Sequence, residues 1–154
     1  MDLQKYYYGY DEFKNDVTQL ASLVEPYGAD TYVAIARGGL TLGHFLAQTL
    51  DTRRLYTLNS IHYEKQQKLD FFEIFNLPNL EGAKRVLLLD DIVDSGETVQ
   101  QILKVLTKKY PGIEFKVATI FYKPLATVQP DFALKEAKGW IDFFWEVDTV
   151  DSTN

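Results

Sequence analysis

The sequence contains no cysteine, which excludes disulfide bonds, thiolate metal sites and a cysteine nucleophile. It also lacks any run near the ~20 apolar residues that a helix needs to span a bilayer. Its first residues, MDLQKYYYGYDEF, do not place a basic segment before an apolar stretch, as a secretory signal does. These absences predict a cytoplasmic protein with no membrane-spanning segment.

Basic residues are outnumbered, with 16 lysines and arginines against 22 acidic residues and a formal net charge of -6. Nonspecific binding to nucleic acid depends on clustered lysine and arginine, so no nucleic-acid partner is predicted. The negative total does not forbid a phosphate ligand. Backbone amides at a helix N-terminus and a few placed cations are sufficient to bind one.

The 154 residues, 46% hydrophobic and 25% charged, predict one globular domain spanning 1–154. Short apolar segments alternate with helical patterns along the chain. The predicted strands are 31–36, 54–63, 71–75, 85–91 and 115–122, and the predicted helices are 11–25, 40–50 and 97–110. This alternation is typical of an α/β fold with a mainly parallel sheet, which binds ligands at the carboxyl ends of its strands.

The segment 86–98, VLLLDDIVDSGET, contains the most chemical information. A buried strand brings Asp90, Asp91 and Asp94 to its carboxyl end, where three carboxylates repel one another unless a cation shares the site. This pattern indicates magnesium and a positively charged transition state. The turn 94–98 can wrap amides and hydroxyls around a phosphate, and Gly96 permits a close approach. Alternatively, Asp94 or Ser95 simply caps the helix.

The whole run resembles the phosphoribosyl pyrophosphate motif of type I phosphoribosyltransferases. The resemblance implies a central, mainly parallel, twisted sheet flanked by helices, with a small hood formed by the chain ends, its C-terminal part at about 124–154. It implies that Asp90 and Asp91 hold the ribose hydroxyls and magnesium, and that Asp94 faces the purine N7 as the catalytic group. The 5′-phosphate would bind the loop made by Asp94, Ser95, Gly96, Glu97 and Thr98.

The segment 36–40, ARGGL, is similar to the pyrophosphate loop of bacterial xanthine-guanine phosphoribosyltransferases. In that reading Arg37 contacts the leaving pyrophosphate while Gly38 and Gly39 expose their amides. A guanidinium offers a rigid fork of donors to phosphate oxygens, which suits this role. An arginine after a strand is more often a solvated residue, so its position on the same sheet edge as the acids is what favours binding.

Two later segments, FYKP at 121–124 and GWID at 139–142, are similar to the base site of the same enzymes. The resemblance implies that Lys123 donates to the purine 6-oxo group and that Trp140 stacks on the base. The backbone carbonyl of Ile141 would accept from the ring edge or the 2-amino group. Without the phosphate motifs, a solvated lysine and a tryptophan in the core are the more usual interpretations.

The resemblance also implies a mobile lid at about 59–70 and a second metal ligand. Tyr63 corresponds to the tyrosine of a Ser-Tyr pair that relatives carry in the lid, and His62 replaces the serine; we predict that His62 is a lid or surface residue rather than a base. Glu146 lies six residues after Trp140, where relatives often carry an aspartate that helps to hold magnesium.

The implied function is purine salvage, in which phosphoribose moves from phosphoribosyl pyrophosphate to guanine, xanthine or hypoxanthine and gives the nucleoside monophosphate and pyrophosphate. One alternative is transfer to adenine or a pyrimidine, which Lys123 with Trp140 disfavours. The other is a regulatory module without turnover, which the intact acids and phosphate loops disfavour. Relatives are usually dimers or tetramers, and an aromatic cluster predicted to be exposed is compatible with a homo-oligomer interface. That cluster is Tyr6, Tyr7, Tyr8 and Tyr10.

Overall fold

The computed structural model describes residues 5–63 and 71–147. In chain order the elements are β1 Lys5–Tyr8, α1 Tyr10–Val24, a 3-10 turn Glu25–Tyr27, β2 Thr31–Ala36, α2 Leu40–Thr49, β3 Leu55–Tyr63, β4 Phe71–Phe75, β5 Arg85–Val93, α3 Glu97–Lys109, β6 Glu114–Tyr122, β7 Lys135–Glu136 and β8 Trp140–Phe143. Among these residues, no helix is both long and apolar enough to cross a bilayer.

Six strands form the central sheet in the order β4-β3-β2-β5-β6-β7. The pairs from β3 to β7 are parallel, and only β4 runs antiparallel, against β3. The predicted mainly parallel α/β sheet is therefore confirmed. β2 and β5 lie at its centre, so the loops that follow them open in the middle of the carboxyl edge.

The side chains of β5 pack against helices on both faces of the sheet. Val86 and Leu88 pack in the apolar cluster that contains Ile102 and Leu106 of α3. Leu87 and Leu89, which alternate with them, pack in the cluster that contains residues of α1 and α2. Successive side chains of a strand point to opposite faces, so an uninterrupted apolar run is what a strand between two helical layers requires.

The two ends of the described chain form a separate two-stranded parallel sheet, the hood. β1 pairs with β8, and the register places Lys5 opposite Trp140 and Tyr6 opposite Ile141. Tyr8 corrects a prediction, because it is fully buried rather than exposed. Its hydroxyl donates a hydrogen bond to Oδ2 of Asp16 at 2.6 Å, eight residues later in the chain. This bond satisfies the polar end of the buried tyrosine side chain.

Local boundaries differ from the predicted ones in one way that matters. β5 continues to Val93 instead of ending at Asp91, because Ile92 and Val93 pair with Phe121 and Tyr122 of β6. Asp90 and Asp91 therefore lie within a strand, with backbones fixed by its ladder. The polar segment 64–70, predicted to be an exposed loop, lies outside the described residues.

Candidate functional site

The carboxyl ends of three neighbouring strands bring the predicted binding segments together. β2 leads into the 37–39 loop, β5 into the 94–96 turn, and β6 into Lys123. β2 and β6 both pair in parallel with β5, so these segments follow one another along one edge of the sheet. This edge is where open α/β sheets bind ligands.

The 37–39 loop packs so closely on β5 that it has no room for side chains at two positions. A Cβ on Gly39 would lie 2.4 Å from the carbonyl oxygen of Leu89, and one on Gly38 would lie 2.6 Å from Oδ2 of Asp91. Arg37 next to them is exposed, and the Ala36-Arg37 peptide is cis. The glycines thus seat the loop against the acid-bearing strand and leave the guanidinium at the surface of the site.

Asp90 and Asp91 form a half-buried acid pair at the end of β5. The Asp91 amide donates to Oδ1 of Asp90 at 2.9 Å, and the Ile92 amide donates to Oδ1 of Asp91 at 2.7 Å. Burial raises the pKa of both carboxyl groups, and the charge of Asp91 adds to the rise for the Asp90 pKa. An acid pair held in this way attracts a cation.

A first cavity of about 350 Å³ lies over this pair. We call it the donor cavity, after the donor that the resemblance predicts for these residues. Arg37 and Gly38 reach it from one loop, the two aspartates from β5, and Thr98 from the start of α3. Ser60 and His62 of β3 line it as well. The cavity therefore combines a guanidinium, a carboxylate pair and a helix N-terminus, which suits a ligand with both phosphate and hydroxyl groups.

The N-cap position of α3 is not occupied by Asp94 or Ser95, the two capping residues considered from the sequence. Gly96 is the N-cap residue, with a φ of 86°, and a Cβ there would lie 2.6 Å from the Val128 amide nitrogen. Ser95 accepts a hydrogen bond from the Glu97 amide at 3.2 Å through its hydroxyl. The positive end of the α3 dipole therefore faces the site without a carboxylate cap.

Asp94 does not join the acid pair but forms an ion pair with Lys123, whose Nζ lies 2.9 Å from its Oδ1. The predicted crowding of three carboxylates is thus relieved for Asp94 by the cation that directly follows β6. Its side chain is 68% exposed and that of Lys123 is 41% exposed, so both are open to a ligand. The structure brings together two groups that were predicted to contact the same purine.

A second cavity of about 160 Å³ lies beside this ion pair. We call it the base cavity, after the purine base that the resemblance predicts for these residues. Asp94, Lys123, Trp140 and Ile141, the residues predicted for the base, all line it. Trp140 is 61% exposed, which leaves the indole face available for stacking, while Ile141 is buried. The cavity thus offers a planar apolar surface, an ammonium and a carboxylate at one position.

Asp91 and Glu146 both line the base cavity, and they also line a larger one of about 690 Å³ that extends to Arg37. Partial burial and then the charges of Asp91 and Asp142 raise the pKa of Glu146. No three histidine, cysteine, aspartate or glutamate side chains among residues 5–63 and 71–147 cluster to hold a metal. Asp90, Asp91 and Glu146 fit Mg²⁺ only where waters and bound phosphate supply the other ligands, which is its usual mode.

Tyr63, the predicted lid residue, is not brought into these cavities. Its hydroxyl donates to Oε2 of Glu73 at 3.1 Å, and its ring stacks on Phe71 with centroids 4.5 Å apart. Both partners belong to β4, so Tyr63 lies on a β-hairpin arm. The predicted lid began at about residue 59, but residues 59–63 belong to β3, and residues 64–70 lie outside the described residues.

Sequence reasoning missed several residues that shape the site. Thr127 donates to the Ser95 carbonyl from its amide at 2.8 Å and from its hydroxyl at 3.1 Å, which ties the 94–98 turn to the segment after β6. Gln129 donates from Nε2 to the carbonyl oxygens of Lys123, Pro124 and Ala126. Pro124 signals a turn, but nothing local indicates that these polar residues brace Lys123 and Ser95.

The comparisons with known proteins agree with this geometry. Residues 9–152 match the phosphoribosyl transferase domain family. A xanthine-guanine-hypoxanthine phosphoribosyltransferase of Helicobacter pylori superposes with a TM-score of 0.87 and 38% identity, over 94% of this chain and 96% of that one. A purine phosphoribosyltransferase of Pyrococcus horikoshii superposes with a TM-score of 0.82 and 28% identity over the full length of both. A xanthine-guanine phosphoribosyltransferase of Ruegeria sp. is 28% identical, over 92% of this chain and 85% of that protein.

Proposed function

Because the chain belongs to the phosphoribosyl transferase domain family, we propose that it transfers phosphoribose from phosphoribosyl pyrophosphate to an oxopurine. The acceptor is guanine, xanthine or hypoxanthine, and the products are the nucleoside 5′-monophosphate, namely GMP, XMP or IMP, and pyrophosphate. The similar protein of Helicobacter pylori is named for all three bases and that of Ruegeria sp. for xanthine and guanine, which supports this acceptor class. The reaction salvages purines.

A single observation carries the proposal: Asp91 lines both the donor cavity and the base cavity. Transfer requires the ribose C1′ and a purine ring nitrogen to meet, and two cavities that share a wall place their ligands side by side. Holding two reactants in this way converts a bimolecular reaction into an effectively unimolecular one. Asp91 is thus the position at which donor and acceptor meet.

The donor side supplies charge for the departure of pyrophosphate. Arg37 binds that leaving group, the amides of Gly38 and Gly39 face it, and the 94–98 turn at the N-terminus of α3 holds the 5′-phosphate. Asp90 and Asp91 accept from the ribose hydroxyls, and their charge stabilises the oxocarbenium-like ribose that develops as the bond to pyrophosphate lengthens.

Asp90 and Asp91, together with Glu146, are the residues that would hold magnesium. When bound, the ion neutralises charge on the pyrophosphate oxygens and so assists its departure. The base side acts independently of that ion. Trp140 stacks on the purine, Lys123 donates to the 6-oxo group, and Asp94 accepts the proton at N7 or its hydrogen bond. Because an ammonium only donates, it rejects the 6-amino group of adenine.

The proposal also covers cellular location and oligomeric state. We expect the protein to act in the cytoplasm and to assemble as a homodimer or homotetramer. Tyr6, Tyr7 and Tyr10 remain exposed on and beside the hood, at 48%, 65% and 48%, and exposed aromatic side chains of this kind are enriched at protein interfaces.

The test is to incubate the purified protein with phosphoribosyl pyrophosphate and magnesium and to offer guanine, xanthine, hypoxanthine, adenine, uracil and orotate separately. Nucleotide formed from oxopurines alone is the expected result, and the relative rates rank the substrates. Turnover of adenine or a pyrimidine would overturn the roles given to Lys123 and Trp140 while keeping the donor site. No product from any base would overturn the proposal.

A further inference from the structure

The base cavity shares a wall with a second, larger cavity. Gly139 and Ile141, which flank Trp140 in the chain, line the base cavity, and both also line a cavity of about 640 Å³. We call the larger one the hood cavity, because Lys5 and Tyr6 of β1 line it as well. Since there is open space next to this wall on both sides, close packing alone does not fix its position.

The strands that carry this wall have short ladders. β8 pairs with β1 over four positions, and β7, which precedes the wall in the chain, pairs with β6 over two. A two-stranded sheet by itself is only marginally stable. Phe143 of β8 packs in the core, but apolar attraction is non-directional, whereas hydrogen bonds and ion pairs have a preferred geometry. Directed polar contacts to the hood are therefore the ones that can set the position of the wall.

Lys135 of β7 makes such contacts through two acids of α1. Its Nζ lies 2.8 Å from Oδ2 of Asp16 and also pairs with Oε2 of Glu12. The same Asp16 oxygen accepts from the Tyr8 hydroxyl at 2.6 Å. Oε1 of Glu12 accepts from the Tyr6 hydroxyl, also at 2.6 Å. Both tyrosines belong to β1, the partner strand of β8, so one polar cluster joins β7, α1 and the hood.

Burial limits the arrangements that this cluster can adopt. The side chain of Asp16 is 7% exposed and that of Lys135 is 34% exposed. A buried carboxylate tolerates little movement of its donors, because a donor that leaves exposes an unpaired charge to an apolar environment. None of the described residues that line the donor or base cavity belongs to the cluster, so it does not contact either proposed substrate site. Any effect on catalysis must therefore pass through the wall.

We propose that Lys135 is a positioning residue for the acceptor base, which holds the 139–141 wall in place through Asp16 and Glu12 without touching substrate. This inference rests on the proposed function and deepens it. The cluster holds the wall from two sides, because Lys135 precedes it in the chain and β1 pairs with the strand that contains it. Loss of the cluster should weaken base binding and spare the donor cavity, whose loops follow β2 and β5.

The test compares Lys135→Met and Lys135→Arg with the wild-type protein in steady-state formation of nucleotide from guanine. Methionine keeps an unbranched stem but removes the charge, so the KM for guanine should rise about 3- to 30-fold, less than the ~10²-fold that a misplacement of ~1 Å can cost. The KM for phosphoribosyl pyrophosphate should stay unchanged. Arginine keeps a positive charge and donors for both acids, so it should recover part of the guanine KM.

Two controls separate positioning from stability and from charge. Leu106→Ala opens a cavity in the apolar cluster on the α3 side of the sheet, so it should lower the melting temperature but keep the wild-type KM for guanine. Lys138→Met removes a charge that also lines the hood cavity, and it should behave like the wild-type protein. All assays are run well below the measured melting temperatures.

Three results would overturn the inference while leaving an active enzyme. The first is a folded Lys135→Met variant with the wild-type KM for guanine. The second is a rise of both KM values in equal proportion, and the third is a Lys135→Arg variant as impaired as Lys135→Met. A wild-type protein that forms no nucleotide would instead overturn the proposed function, and this inference with it.

Discussion

The ammonium group of Lys123 lies 2.9 Å from Oδ1 of Asp94, so the groups proposed for the purine 6-oxo and N7 positions contact each other in the free protein. An ion pair this exposed contributes little stability, about 0–1 kcal/mol. A purine that binds both groups replaces their contact with each other, and breaking that contact costs little free energy. The pair therefore keeps both side chains in position until the base arrives.

Replacing Asp94 with asparagine tests its catalytic role. The amide retains the shape of the side chain but is a weak proton acceptor, so turnover should fall about 10²- to 10⁴-fold, the range for loss of a general acid-base group. Binding of phosphoribosyl pyrophosphate should persist, because the amides of the 94–98 turn remain. Steady-state rates with a separate donor titration measure both quantities. Unchanged turnover would remove Asp94 from the mechanism.

Replacing Lys123 with methionine tests base recognition. The variant loses a charged hydrogen bond to the 6-oxo group, so kcat/KM for guanine and hypoxanthine should drop about 10- to 150-fold. The KM for phosphoribosyl pyrophosphate should change little. Lys104→Met on the exposed surface of α3 is the control and should behave like the wild-type protein. A guanine kcat/KM equal to that of the control would contradict the assignment.

Replacing Gly39 with alanine tests the seating of the Arg37 loop. The new Cβ would lie 2.4 Å from the Leu89 carbonyl oxygen and 2.9 Å from that of Ile35, and neither backbone atom can move without disturbing a central strand. We expect a loss of about 1–3 kcal/mol in the free energy of unfolding, as overpacked sites show. The KM for phosphoribosyl pyrophosphate should also rise.

Gly112→Ala is the matched control, because a Cβ there would meet no heavy atom within 4 Å. Its denaturant midpoint should stay near the wild-type value. If the two alanine variants were equally stable and equally active, the close seating of the 37–39 loop on β5 would not matter for binding.

Replacing Lys135 with methionine tests the polar cluster that anchors the hood. Lys135 Nζ lies 2.5 Å from Oε2 of Glu12 and 2.8 Å from Oδ2 of the buried Asp16, which also accepts from Tyr8. Loss of these charged hydrogen bonds should cost about 1.5–3 kcal/mol of unfolding free energy. Lys138→Met, three residues later and exposed, should cost almost nothing.

The pH dependence of that loss has a defined sign. Burial opposes ionisation of Glu12, but hydrogen bonds from Lys135 and Tyr6 lower its pKa overall. Burial likewise opposes the charge of Lys135, but its bonds to Asp16 and Glu12 raise its pKa overall. The Glu12 contribution is therefore lost as pH falls below about 4.3, and the Lys135 contribution as pH rises above about 10.4.

Urea titrations across pH measure this behaviour. The difference in unfolding free energy between the wild-type protein and Lys135→Met should be largest near neutral pH and should shrink toward both extremes. A difference that stays constant from acid to alkaline pH would show that Lys135 acts through its apolar stem rather than through its charge.

The central sheet and the donor cavity could be predicted because their signals are local. The run before Asp90 is apolar at every position, as a strand covered on both faces requires, and the glycines after β2 and β5 lie where backbones approach closely. The positions of the acid pair and of both glycine loops could thus be predicted from short contiguous segments.

The remaining features depend on contacts between distant segments. Tyr8 stands in a tyrosine run that reads as exposed, and only the position of Asp16 on α1 makes it a core residue. His62 was predicted to be a lid or surface residue, yet it lines a cavity together with Ser60, which the sequence did not single out. Strands β1, β7 and β8 have two to four residues, too few to show a periodic pattern. They form because neighbouring strands pair with them.

The pairing of β1 with β8 also sets the order in which the enzyme can become functional during synthesis. The strands and loops of the donor cavity are complete once α3 has left the ribosome, whereas Lys5–Tyr8 must wait unpaired until Trp140–Phe143 emerges. Trp140 and Ile141 arrive on that same strand, so the base cavity closes last. A nascent chain therefore carries the elements proposed to bind the activated sugar before it has the residues proposed to select the acceptor.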